Sequence, residues 1–278
     1  MDYEKITEDY YILTLDEKGA PEFTQDNLKL IRTFLTYDSN YNSVEDETHP
    51  NYHSTYGGIL KKHGDAFFNF KAIEDYENEE EYIKNDPLYL VIESIDKMNS
   101  THLASEGPNG GNKGRINTAK DIYGIENFKQ KLFDGDATLV DKIAWFGGKN
   151  NFSFASKFCV YLCRYLFEGM PQENNYCIYD EVVQSILPYF AHKYKIDGDF
   201  YYKTNRKGQK ESTVYKIKDN KQNYPNNCQE YISYVSRIVE KIKQESGIDI
   251  TFEAFDHMLW YFFKGQPYKI QQLMNTLP

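Results

Sequence analysis

Two residues in the middle of the chain have side chains with complementary chemistry. Lys157 lies near the start of an apolar segment, and Asp180 directly precedes another, Glu181–Tyr189. A lysine amine can attack an electrophilic carbon and form a Schiff base. A carboxylate can stabilise the positive charge that develops on a reacting sugar. Together the two side chains could break a glycosidic bond, provided that the fold brings them to one place.

The sequence before Lys157 predicts two consecutive helices. Asp136 is a suitable N-cap for the first, over 137–146. The second, over 155–167, would hold Lys157 close to its start and among aromatic side chains; these are Phe154, Phe158 and Tyr161. Loss of hydration among aromatic rings favours the neutral amine that a nucleophile needs. The alternative is a surface lysine whose stem lies along these rings.

Asp180 is predicted to cap a third helix, over 181–193. A carboxylate at this position accepts hydrogen bonds from exposed backbone N–H groups, and the helix dipole favours its negative charge. Capping alone would be a sufficient structural reason for an aspartate here. It does not exclude a catalytic role, because a cap carboxylate stays ionised.

These segments resemble the helix–hairpin–helix DNA glycosylase superfamily, and in particular its 8-oxoguanine DNA glycosylase branch. The likeness rests on Ser156–Leu162, followed by Tyr176–Val183, and extends over about 137–193. The resemblance implies that Lys157 attacks the sugar, expels the base and can go on to cut the strand as a lyase. It implies that Asp180 supports the sugar cation. Such proteins also occur in bacterial anti-phage operons beside cyclic-nucleotide synthases (CBASS), which implies defence partners.

Two segments depart from the family pattern. The hairpin equivalent, Phe152–Ala155, has side chains where the family has glycines whose backbone approaches a DNA phosphate. The connection before Asp180 is enlarged by Glu168–Asn175. Single-stranded DNA or a free nucleotide is therefore an alternative substrate to duplex DNA. A non-catalytic nucleotide-binding or effector module that reuses the fold is the alternative function.

The charge distribution bears on binding to nucleic acid. The 278 residues carry a net charge of −10, but residues 142–218 contain 12 Lys/Arg and 7 Asp/Glu, a local excess of +5. The candidate nucleic-acid-binding residues are Lys149, Lys203, Arg206, Lys207 and Lys210. The candidates for stacking on an extruded base are Trp145, Phe152 and Phe154. The alternatives are a solvated basic face and ordinary aromatic core.

No metal, organic cofactor or membrane segment is expected from the sequence. Four cysteines are present without C-x₂-C spacing, so we expect buried, reduced thiols and a cytoplasmic location. His49 and His53 have metal-like spacing, but Pro50 prevents a helix there. There is neither a run of 18 apolar residues nor a signal-peptide pattern.

The overall prediction is a mainly α, two-lobed, glycosylase-like fold with a partly extended N-terminal region, 1–23. Five Gly or Pro residues within Ser105–Arg115 predict a linker. It divides an N-terminal lobe, 1–115, from a helical lobe, 116–278, with a basic insertion, 195–222, that forms a hairpin or a loop. Asp65–Ile73 could be a strand or irregular. The remaining predicted helices cover 26–35, for which Thr24 is a suitable N-cap, 118–132, 227–245 and 251–264. A further apolar-periodic segment covers 87–98.

Overall fold

The computed structural model describes residues 13–37, 85–99, 103, 112–146, 150–196, 201–214 and 227–278. The mainly α fold is confirmed. The helices are α1 Gln25–Tyr37, α2 Pro87–Asn99, α3 Asn112–Tyr123, α4 Phe128–Phe133, α5 Ala137–Ala144, α6 Phe152–Leu166, α7 Glu181–Lys193, α8 Asn227–Ser246, α9 Phe252–Phe263 and α10 Pro267–Met274, with a 3₁₀ turn at Pro171–Asn174. The strands β1 Tyr202–Thr204 and β2 Lys210–Ser212 pair antiparallel, which confirms a hairpin in the basic insertion.

The chain falls into two compact units. Unit 1 comprises residues 1–39, 180–217 and 231–278, and unit 2 comprises residues 40–179 and 218–230. Most of the predicted N-terminal lobe, 1–115, lies outside the described residues, as do Asp65–Ile73 and the histidines at 49 and 53. The predicted lobe boundary therefore stays a prediction.

In unit 1, a turn at Asp16 is fixed to α7. The carboxylate of Asp16 accepts hydrogen bonds from the backbone N–H groups of Lys18 and Ala20, each at 2.9 Å. Its second oxygen accepts from the Tyr189 hydroxyl at 3.0 Å and the Lys193 ammonium at 2.6 Å. The β-bridge between Leu15 and Pro21 is isolated, and the described residues 13–23 contain no strand. The turn, rather than a strand, anchors this segment.

Unit 1 also contains an aromatic core between α1, α7 and α9. The Phe23 ring stacks on Phe255 at 5.6 Å and meets Phe190 edge-on at 5.8 Å. Thr24 caps α1 as predicted, because its hydroxyl accepts from the Asn27 N–H at 3.1 Å. The last helix, α10, is absent from the sequence prediction, although Pro267 at its first turn is a common helix start.

In unit 2, α2 and α3 are joined by a buried ion-pair network. Arg115, which is 7% exposed, donates to the Asp96 carboxylate at 2.9 Å and to Glu93 at 3.0 Å. The other Asp96 oxygen accepts from the Leu103 N–H at 2.8 Å. Arg115 is the last residue of the predicted linker. The last four residues of that linker, 112–115, form the first turn of α3. The predicted linker therefore overlaps α3 at its C-terminal end.

The helix predicted over 118–132 is in fact two helices, α3 and α4. Gly124 follows α3, and Asn127 adopts a left-handed backbone with φ of 54° before α4 begins. A left-handed residue cannot continue a right-handed helix, so the chain turns here. The apolar periodicity continues across the break, which is why the sequence alone suggests one helix.

Among the described residues, no helix has both the length and the apolar character needed to cross a membrane. Within the same residues, no three His, Cys, Asp or Glu side chains are grouped so that they could hold a metal ion.

Candidate functional site

Lys157 lies in the second turn of α6 rather than at its start. Asn151 caps the helix by accepting a hydrogen bond from the Phe154 N–H at 3.1 Å. The predicted start at 155 is therefore three residues late, and the prediction that Phe152–Ala155 forms the hairpin is wrong. These four residues form the first turn of α6. The Asn151 N–H donates to the Ala144 carbonyl, at the end of α5, at 2.7 Å.

The Lys157 side chain is buried, with only 6% of its surface exposed. The alternative of a surface lysine is therefore wrong. Phe154 and Phe158, on the same helix, are fully buried and stack at 5.6 Å. Burial of an amine away from water requires compensation, which makes a buried lysine an uncommon feature of a structural helix.

Asp180 caps α7 as predicted. Its side chain accepts a hydrogen bond from the Val182 N–H at 2.8 Å, and its backbone is extended, with φ of −122° and ψ of 150°. The residue is 9% exposed. The carboxylate thus lies at the N-terminus of α7, which is the positive end of the helix dipole.

The segment that leads to Asp180 is attached to α6 within unit 2. The Tyr179 N–H donates to the Ser156 hydroxyl at 3.0 Å, and the Tyr179 ring meets Phe152 edge-on at 5.0 Å. The Tyr176 hydroxyl also donates to two carbonyl oxygens, those of Lys131 and Asp136. The residue before Lys157 is thus hydrogen-bonded to the residue before Asp180. The pairing of Ser156 with Tyr179 is not recognisable from the sequence, because a contact over 23 positions leaves no local pattern.

Replacement of Ser156 by alanine tests this attachment. The variant leaves the buried Tyr179 N–H without its acceptor, so we expect it to lower the free energy of unfolding by about 1–3 kcal/mol. Ser153→Ala on the first turn of α6 is the matched control and should change stability by less than about 0.5 kcal/mol. Urea unfolding followed by circular dichroism measures both. Equal stability of the two variants would contradict the inferred attachment.

The three residues predicted to stack on a base differ in their burial. Phe152 and Phe154 are buried in unit 2, against Tyr179 and Phe158 respectively. Both rings therefore belong to the core and present no open face to a base in this structure. Trp145 is half-buried at the end of α5.

The predicted basic residues lie on the hairpin of unit 1. Lys203, Arg206 and Lys207 are exposed on β1 and the turn. The Lys210 ammonium donates to the Pro278 backbone oxygen at 2.8 Å and lies 5.4 Å from the centre of the Tyr202 ring. It is thus engaged within the protein, whereas the other three point outward. Lys149 lies outside the described residues.

The four cysteines, Cys159, Cys163, Cys177 and Cys228, are buried and form no disulfide, as predicted. Burial raises the pKa of the Cys163 thiol to about 12, and it raises the pKa of Cys159 and Cys228 as well. A thiol with a raised pKa is not a nucleophile near neutral pH. These residues therefore contribute packing rather than chemistry.

Asp141 on α5 is a buried carboxyl whose ionisation opposes folding. Burial raises its pKa to about 7, and the charge of Asp136 adds to this, although the Cys228 N–H donates to it at 3.0 Å. Between about pH 4 and 7 the folded state therefore binds a proton that the unfolded state has released. Stability then falls as pH rises through this range, by up to about 1.4 kcal/mol per pH unit.

The pH dependence can be checked with Asp141→Asn, whose side-chain oxygen can still accept from Cys228. We expect thermal melting of the variant above that of the wild type at pH 8, with the difference shrinking as pH falls and absent below about pH 4. Asp121→Asn, the same charge change at an exposed position of α3, is the control. A difference that stays constant from pH 4 to 8 would contradict the raised pKa.

The central part of the chain is similar to a known family. The family model HI_0787_N, described as an N-terminal domain, matches residues 60–165. The matched range is less than half of the chain; it includes Lys157 and does not reach Asp180. No curated protein and no solved structure matches the chain.

Proposed function

We propose that this protein excises a base from nucleic acid or from a nucleotide, with Lys157 as the nucleophile and Asp180 as its electrostatic partner. The observation that carries the proposal is the buried Lys157 on a helix that is hydrogen-bonded, through Ser156, to the residue before Asp180. Support also comes from Asp180 itself, a carboxylate held at a helix N-terminus. The resemblance to helix–hairpin–helix DNA glycosylases supplies the reaction class.

In the proposed reaction, the Lys157 amine attacks C1′ of the sugar and the bond from C1′ to the base breaks. The base leaves with the bonding electrons and is protonated. Asp180 stabilises the positive charge on the sugar and accepts a proton released by the amine. Opening of the sugar ring gives a Schiff base, from which elimination of the 3′ phosphate would cut the strand. The exposed Lys203, Arg206 and Lys207 would contact phosphates of a nucleic-acid substrate.

The same resemblance leads us to place the protein in the cytoplasm of a bacterial cell, in an anti-phage defence system with partner proteins. The four thiols that form no disulfide fit that compartment.

A non-catalytic binding module is the second candidate. It is favoured by the helical conformation of Phe152–Ala155 and by the net charge of −10. Such a module would bind a nucleotide or DNA without releasing a base.

Base release separates the two candidates. Single- and double-stranded oligonucleotides with oxidised, deaminated or alkylated bases, and the corresponding free nucleotides, are incubated with the protein, and freed base is measured by chromatography. Release by the wild type, but not by Lys157→Gln, is expected. Binding of a substrate without any release would favour the binding module.

Asp180 has two roles in this proposal, and two variants distinguish them. Asparagine is as good an N-cap as aspartate but has no charge, so Asp180→Asn should keep its stability and lose base release by at least about 100-fold. Asp180→Ala should also lose about 1 kcal/mol of stability. Melting temperature and the rate of base release are the two measurements. If Asp180→Asn kept wild-type activity, Asp180 would have no catalytic role and would act only as the N-cap of α7.

A further inference from the structure

An open cavity of about 560 Å³ lies within unit 1, between the first turns of α7, strand β2, the end of α9 and helix α10. Its volume is in the range of small-molecule sites. The buried side chains of Phe263 and Met274 line it together with the half-buried Ile270. These three residues give the cavity an apolar surface on which the apolar body of a small ligand could lie.

Two helices each turn one face toward this cavity. The lining residues of α10 recur at intervals of three and four positions and so share one helix face; they are Pro267, Ile270, Gln271 and Met274. On α7, Glu181 and Ser185 line the cavity at a spacing of four, which places them side by side on the helix surface. The polar groups of the two helices therefore border a single space.

The Gln271 side chain is held so that it offers a ligand only an oxygen atom. Its amide nitrogen donates one hydrogen bond to the Lys210 carbonyl at 3.0 Å and another to the Asn275 side-chain oxygen at 2.9 Å. A side-chain amide has two N–H donors, and both are engaged here. The Gln271 Oε1 remains as an acceptor whose position is fixed before any ligand arrives.

Two hydroxyl groups of the lining are arranged in the same way. The Ser185 hydroxyl donates to the Glu181 carbonyl at 2.6 Å. The Ser212 hydroxyl, on β2, donates to the Gln184 carbonyl at 2.7 Å. Because a hydroxyl has a single hydrogen, each of these oxygens can only accept from a ligand. Together with Gln271, they suit a ligand that donates hydrogen bonds.

The charged side chains of the lining favour a cation. Glu181 is exposed at the first turn of α7. Lys210 and Lys264 also line the cavity, but the Lys210 ammonium donates to the Pro278 backbone oxygen at 2.8 Å, and the Lys264 ammonium lies 5.5 Å from the centre of the Trp260 ring. Both lysine charges are thus partly compensated by the protein itself. The net charge of −10 adds a long-range attraction for positive ligands.

From these features we propose that the cavity binds an alkylammonium ion. An ammonium group has three donors and no acceptor, which matches a lining that offers oxygen atoms. Its charge is paired with the Glu181 carboxylate, and the Gln271 Oε1 accepts one of its N–H groups. The alkyl chain lies against Ile270 and Met274. A free aliphatic amine and the side chain of a lysine share this chemistry.

Calorimetric titration of the full chain tests the proposal with pentylamine, cadaverine and N-acetyl-lysine methylamide, all of which carry an ammonium on an alkyl chain. Pentanol and the ammonium ion are the comparison probes. Saturable binding of at least one alkylammonium is expected, with pentanol and ammonium each weaker by about tenfold or more, since each lacks one of the two kinds of contact. Tighter binding of the two amines identifies a free amine as the ligand, and tighter binding of the lysine derivative identifies a lysine side chain.

Charge-removing variants in unit 1 provide the matched comparison. Glu181→Gln should weaken binding of the alkylammonium about fivefold, the size of effect typical of an exposed ion pair. Glu240→Gln, the same change at an exposed position of α8 outside the cavity lining, should bind like the wild type. Lys157→Gln should also bind normally, which separates this cavity from the proposed excision. Melting temperatures confirm that each variant is folded.

The proposal is overturned if no alkylammonium binds, or if pentanol binds as tightly as pentylamine. It is also overturned if Glu181→Gln and Glu240→Gln bind alike. Loss of binding in a folded Lys157→Gln would overturn it too, because the ligand would then belong to the excision site.

Discussion

Base release by Lys157→Gln should be slower than that of the wild type by at least about 10³-fold, the size of effect seen when a catalytic nucleophile is removed. Glutamine retains length and hydrogen-bonding capacity but has no amine that can form a Schiff base. Because Lys157 is buried, the variant must first be shown to fold by its circular dichroism spectrum and melting temperature. Lys142→Gln, on the exposed side of α5, is the control and should keep wild-type activity.

Lys157→Arg tests whether Lys157 acts as a nucleophile or only through its positive charge. Arginine keeps the charge, but its guanidinium is always protonated and does not attack the sugar. We expect this variant to be as inactive as Lys157→Gln. Activity within about tenfold of the wild type in Lys157→Arg would mean that Lys157 acts only through its charge, and nucleophilic catalysis would be ruled out.

Arg115→Met should produce the largest loss of stability. It removes the cation that pairs with Asp96, which is 4% exposed, and so leaves a buried carboxylate without this cation. Breaking one side of a buried ion pair lowers the free energy of unfolding by about 3–5 kcal/mol. Urea unfolding measures the loss. Lys113→Met, at an exposed position on the same turn of α3, is the control and should lose less than about 0.5 kcal/mol.

Addition of Asp96→Asn to Arg115→Met tests the cause. Removing the negative charge of residue 96 as well should recover part of the lost stability, since a neutral amide is less costly to bury than a carboxylate. A double variant less stable than Arg115→Met, or a single variant that loses under about 1 kcal/mol, would contradict the account of the network.

The helices could be predicted where a polar cap precedes apolar periodicity. Thr24, Asp136 and Asp180 each cap the helix that the sequence assigns to them. The start of α6 was missed because Asn150, Asn151 and Ser153 are all capping residue types, and only the folded chain selects Asn151. The division of α3 from α4 depends on the left-handed backbone of a single residue, Asn127. Apolar periodicity does not predict this conformation.

The candidate site was predictable only in part. The capping role of Asp180 is local and follows from its own sequence. The burial of Lys157 depends on the packing of α6 within unit 2, and the hydrogen bond from Tyr179 to Ser156 joins distant positions. Arg115 and Asp96 were missed for the same reason, since buried charges are recognisable only when their partners are known.

The most direct test of the central claim is borohydride reduction during base excision, followed by peptide mapping of the trapped adduct. If Lys157 is the nucleophile, reduction should attach the sugar covalently to the peptide that contains Lys157, and no adduct should form with Lys157→Gln. A sugar attached to another residue, or an adduct of equal yield in Lys157→Gln, would contradict the account.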